Sequence, residues 1–117
     1  MSPDRFKTFL EAIGELHDAH VTRLAFDLEE RRVTIDIDDF YRNFAGLPEY
    51  KGDRFGAIIF RGVEDCKITV QIQERNLRID GITVSAGIGS QKVAILKFWP
   101  SGSMSFNYES VSFPNVE

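Results

Sequence analysis

His17-Asp18-Ala19-His20 puts two imidazoles and a carboxylate within one short stretch, and Asp36, Asp38 and Asp39 follow on what reads as the neighbouring strand. Such donors bind transition metals when they converge on one point, which makes His17 and His20 the candidate metal ligands. Parity opposes convergence: in an extended segment His20 points to the side of Leu24 and Phe26, whereas His17 points to the other. The expectation is that no metal is held here. Asp18 would instead accept backbone N–H groups where the chain leaves a helix, and His20 would sit at the core margin near Tyr41.

Other catalytic chemistries find little support in the residues. A His-Asp phosphohydrolase site resembles an all-helical arrangement with further histidines, and this chain has two in all. Gly87-Ile88-Gly89-Ser90 lies between strand patterns with no helix after it, so no helix N-terminus would face a phosphate, and it reads as a turn. There is no G-x-S-x-G elbow, and neither a serine nor Cys66 has an evident activating base. Cys66 continues the Ile68, Val70, Ile72 alternation, which predicts an inert core thiol. The chain is therefore expected to be non-catalytic and to need no cofactor.

Residues Phe40 to Phe55 follow no clear period and hold Phe40, Tyr41, Phe44, Tyr50 and Phe55 interleaved with Arg42, Lys51 and Arg54. Structureless segments of this length are uncommon and often functional, and aromatics mixed with arginine make up interface hot spots. Tyr41, Arg42, Phe44, Tyr50 and Arg54 are thus the candidate partner-binding residues. The competing reading tucks these aromatics under the loop as a satellite core.

The elements that would position these residues can be read from periodicity. Ser2 and Pro3 suit a helix start, Phe6, Phe9, Leu10 and Ile13 form one stripe at helical spacing, and Gly14 is a stop. From about Leu16 the period becomes two. Val21 to Asp39 reads as a hairpin turning through Glu29–Arg32, with Leu28 facing Val33, Phe26 facing Ile35, Leu24 facing Ile37, and Arg23 facing Asp38. A second hairpin is expected to join Phe55–Arg61 to Cys66–Gln73, pairing Ile59 with Ile68; Ile58 and Phe60 make the first of these strands apolar on both sides and hence central. Trp99-Pro100-Ser101-Gly102 reads as a type I turn that pairs Phe98 with Met104, Leu96 with Phe106 and Ala94 with Tyr108. In Leu77–Ser85, Asp80-Gly81 is either a tight turn or a bulge.

The resulting fold class is α+β: an N-terminal amphipathic helix packed on a mainly antiparallel β-sheet or β-sandwich of about seven or eight short strands, in a single domain spanning residues 1–117. The chain has 14 Lys and Arg against 18 Asp and Glu, a net charge of −4, without the basic footprint that nucleic-acid binding needs. No apolar run approaches membrane-spanning length and the N-terminus is too charged for a signal peptide. A lone cysteine excludes an internal disulfide. A cytoplasmic protein is expected, with neither nucleic acid nor membrane as partner.

The order of features resembles a loose group of small bacterial proteins, with a short helix, then Leu16-His17-Asp18-Ala19 entering a hairpin, then Phe60-Arg61-Gly62-Val63 ending a later strand. Some members of that group are immunity proteins of polymorphic toxin systems and many are uncharacterised. The resemblance spans about the first sixty residues, implies a protein that binds and blocks a cognate toxin, and transfers no catalytic residue. The leading expectation is a protein–protein interaction domain with an immunity-like role, its partner a cognate protein, with a homodimer also open. The alternative is a small-ligand domain with a pocket between helix and sheet.

Overall fold

The computed structural model describes residues 5–40, 47–48, 54–71 and 76–114. Helix α1 (Arg5–Ala12) buries Phe6, Phe9 and Leu10, and Ile13 follows on the same stripe at 2% exposure. A helix this short is marginal in isolation, so it exists because that stripe has a surface to cover. It ends as the spacing predicts: Gly14 is left-handed at φ 71°, the conformation glycine adopts without cost at a helix end. Glu15 and Leu16 continue left-handed at φ 57° and 60°, which costs roughly 1–2 kcal/mol per residue. Leu16 is 1% exposed, and burial of a leucine, about 1.5–3 kcal/mol, offsets its share.

The strands are β1 (Val21–Asp27), β2 (Arg32–Ile37), β3 (Gly56–Arg61), β4 (Glu64–Gln71), β5 (Arg78–Ala86), β6 (Lys92–Trp99), β7 (Ser101–Tyr108) and β8 (Ser110–Ser112). They form two four-stranded antiparallel sheets, ordered β1-β2-β3-β8 and β4-β7-β6-β5. The α+β expectation is met. Along one margin the sheets are joined by the lead into β1: Asp18 N–H donates to Ile79 O, Ile79 N–H to Ala19 O, and Val21 N–H to Leu77 O, at 2.8–2.9 Å. At the other, the chain crosses between sheets at Gly62-Val63 and at Glu109, with Val63 N–H donating to Arg31 O and Glu109 N–H to Arg61 O.

The core joins three elements at Phe60. Its ring meets Phe106 and Tyr108 of the second sheet edge-on, at centroid separations of 4.8 and 5.0 Å, and Phe6 of α1 at 5.7 Å. Phe9 extends the cluster to Phe40 at 6.0 Å and Phe113 at 4.6 Å.

Faces follow the alternation read from the sequence, but registers differ. In the first hairpin Phe26 faces Val33, Leu24 faces Ile35 and Arg23 faces Asp36, so the turn is centred one residue earlier than expected. Asp27 is the reason: its carboxylate accepts the Glu30 N–H at 3.0 Å and pairs with Arg32 at 3.3 Å, closing the turn over Leu28–Arg31. Leu28 is then at the tip, 88% exposed. The same displacement occurs between β6 and β7, where Leu96 faces Met104 and Ala94 faces Phe106, while Phe98 and Trp99 pair with Ile79 and Arg78 of β5.

The expected hairpin between β3 and β4 does not form. β3 pairs with β2 and β8, and β4 pairs with β7. The long-range choice aligns Phe60 with Val33 and Ile58 with Ile35, a continuous apolar face that a local pairing with the largely exposed β4 would not give. β3 is central as expected, but its core face is Ile58 and Phe60, and Ala57 and Ile59 point outward half-buried. Asp80 is a bulge inside β5, where the pairing with β6 shifts between Ile79 and Gly81.

The register makes a testable contrast. Ile35→Asp places an unpaired carboxylate at a fully buried position, a cost of several kcal/mol against a total stability of about 5–15 kcal/mol. Phe26→Asp, on an edge strand at 43% exposure, is expected to lose less than about 2 kcal/mol. Urea denaturation followed by circular dichroism should find the second variant folded and the first largely unfolded.

Candidate functional site

The His17–His20 segment is held by the seam between the sheets. His17 Nδ1 lies 3.0 Å from the Asp80 carbonyl and 4.0 Å from its carboxylate, while Nε2 lies 3.8 Å from Asp18. The two carboxylates thus flank opposite sides of the ring and do not converge with it on one point. His20 turns to a different partner: its backbone N–H donates to Asp38 Oδ1 at 3.0 Å, and its Nδ1 meets Oδ2 at 3.0 Å. A hydrogen on Nδ1 is what both ring contacts require, because a carbonyl and a carboxylate only accept. Among the described residues no group of three or more His, Cys, Asp or Glu could hold a metal ion. Asp18 approaches Arg78 at 4.0 Å, and the Arg78 guanidinium stacks over Trp99 at 4.0 Å, a cation–π contact at the end of the outer face of the second sheet.

Of the candidate partner-binding residues, Tyr41, Arg42, Phe44 and Tyr50 lie outside the described residues, and Arg54 is exposed. The base of the segment is closed. Phe40 N–H donates to Arg54 O at 2.8 Å, Arg54 N–H donates to Asp39 Oδ1 at 3.1 Å, and both Phe40 and Asp39 are fully buried. The aromatics therefore do not share one fate: Phe40 is core, packed on Phe9, whereas Phe55 is 81% exposed beside Arg54. Leu47, within the segment, is 51% exposed.

Between helix and sheet, Phe6, Phe9, Phe40, Phe60 and Phe113 pack ring against ring. A concave surface lies elsewhere, on the outer face of β1, β2 and β3: a shallow groove of about 740 Å³ floored by Ala25, Thr34, Ala57 and Ile59. Sequence reading missed it because a three-strand surface needs two correct registers, one of them non-local. The signal that could have found it is the small outward side chains Ala25 and Ala57, which alternation alone already put on one side of their strands.

Cys66 is a correction. The alternation predicts it in the core beside Ile68, but β4 is a sheet edge whose pairing with β7 shifts between Glu64 and Lys67, and the thiol is exposed. Partial burial still raises its pKa above the ordinary thiol value. Since the thiolate is the nucleophile, a raised pKa means less of it at neutral pH. Alkylation by iodoacetamide at pH 7.5 should go to completion yet run slower than that of a free cysteine peptide, with a rate that keeps rising at pH values where the peptide has levelled off. A rate equal to or above the peptide's at pH 7.5 would contradict this.

The described residues contain no helix long and apolar enough to cross a membrane. No family model, no curated protein and no solved structure matches this chain.

Proposed function

We propose that this chain is a non-catalytic binding domain whose partner is another protein, and that its role is immunity-like: it binds and neutralises a cognate toxin in the cytoplasm of a bacterium. The observation that carries the reading is the base of the Phe40–Phe55 segment, where Phe40 and Asp39 are buried anchors while Arg54 and Phe55 face solvent. An exposed arginine beside an exposed phenylalanine is the composition of a hot spot, and the bonds from Arg54 to Phe40 and Asp39 fix where that pair is mounted. Tyr41, Arg42, Phe44 and Tyr50 supply the rest of that contact surface in this reading. The tying of both histidines to neighbouring carbonyl and carboxylate groups supports a structural role for them.

A toxin partner would be encoded beside this gene, so the test is direct. Co-expression with the product of the adjacent gene should relieve its growth arrest, and the purified pair should associate. Tyr41→Ala, Tyr50→Ala and Arg54→Ala should each weaken the pair by about fivefold or more, roughly 1 kcal/mol, with little change in melting temperature. A metabolite that raises the melting temperature by several degrees, with no association to the neighbouring product, would favour the small-ligand reading instead.

A further inference from the structure

The outward residues of β1, β2 and β3 form a grid of three cross-strand rows. The first is Arg23, Asp36 and Ala57; the middle row is Ala25, Thr34 and Ile59; the third is Asp27, Arg32 and Arg61. Within the sheet, Arg23 Nε meets Asp36 at 2.6 Å and Arg32 meets Asp27 at 3.3 Å. The signs therefore run plus then minus across the first row, and minus then plus across the third. Between them the middle row is uncharged, small at Ala25 and apolar at Ile59. Among the described residues no element packs on this face, and the groove lies along it.

This pattern is complementary to itself. Take a second copy stacked face to face about a twofold axis that runs along the middle row, across the strands. Each strand then lies over its own counterpart, and each first row lies over the partner's third row. Arg23 meets the other copy's Asp27, and Asp36 meets the other copy's Arg32, twice over by symmetry. Arg61 stands over the small Ala57 and next to Asp36. The middle row meets itself, so the apolar surfaces of Ala25, Thr34 and Ile59 are the ones covered. The roughly 30° angle between aligned packed sheets shifts these contacts by distances that arginine side chains span.

We infer that this face is the interface of a symmetric homodimer, with the grid of alternating charges setting its orientation. Isologous association requires a patch that is its own complement, and like charges set against each other across such an interface oppose it. The patch is three strands wide, smaller than the roughly 800 Å² that each partner gives to a standard interface, so the dimer is weak and concentration-dependent. The inference goes beyond the partner-binding reading and does not rest on it, since none of the residues it is argued from belongs to the Phe40–Phe55 segment.

Sedimentation velocity of the full chain between about 10 and 500 µM tests it. The wild type should pass from monomer to dimer across that range. Exchanging one ion pair, Arg23→Asp with Asp36→Arg, keeps the pairing inside the sheet but sets like charges against each other across the axis; the dimer should weaken at least tenfold with the melting temperature little changed. Exchanging the second pair as well, Asp27→Arg with Arg32→Asp, restores opposite charges across the axis and should restore the dimer. Ile59→Lys, at an outward position, should abolish association independently of those four residues. A wild type that stays monomeric at about 500 µM overturns the inference. So does a single-pair exchange that associates as the wild type does, or a double-pair exchange that is folded and stays monomeric.

Discussion

The edge-on contact of Phe60 with Phe106 and Tyr108 is the constraint on which the two-sheet arrangement depends. Phe60 belongs to the first sheet, its two partners to the second, and Phe6 of the helix meets it from a third direction. Aromatic pairs in this geometry add about 0.5–1.5 kcal/mol beyond the burial of their area. More important is that one ring is shared: the helix stripe has no surface to cover unless the sheets have met, and the sheets would leave their inner aromatics wet without each other.

That junction explains the chain path. For Phe60 to reach Phe106 and Tyr108, β3 must leave its sequence neighbour β4 to the other sheet, and the crossover runs through Gly62, left-handed at φ 70° with Glu109 packed where a side chain would begin. At the opposite margin the left-handed run from Gly14 carries the chain out of the helix to the edge of β5. There Asp18 and Ala19 take part in a backbone ladder, and His17 is held against the Asp80 bulge. The histidines sit where they do because a seam between sheets has to be made at that point.

What could be read from the sequence follows from which interactions are local. The helix stripe, the Gly14 stop and the inward side of most strands depend on neighbours within a few residues and were legible. Hairpin registers missed by one turn position because the centre was judged from apolar matches such as Leu28 with Val33, whereas Asp27, bonding the Glu30 N–H and Arg32, closes the turn. β3 misled more deeply: both of its sides are apolar, and the partner that decides between them is β2, some twenty residues away. Cys66 shows the converse, since alternation along a strand cannot say that β4 is an edge. For the site, the exposed Arg54 was legible from composition, while the opposite fates of Phe40 and Phe55 depend on where α1 packs, which no local pattern encodes.

The two proposed contact surfaces lie outside this junction, on the face of the first sheet and at the base of the Phe40–Phe55 segment, and both depend on it to hold β2 and β3 in place. A double-mutant cycle on Phe60→Leu and Phe106→Leu, measured by urea denaturation, tests that claim most directly. The account predicts a coupling of about 0.5–1.5 kcal/mol between the two sheets, with all variants unfolding in one transition. Losses that add to within about 0.3 kcal/mol would contradict it.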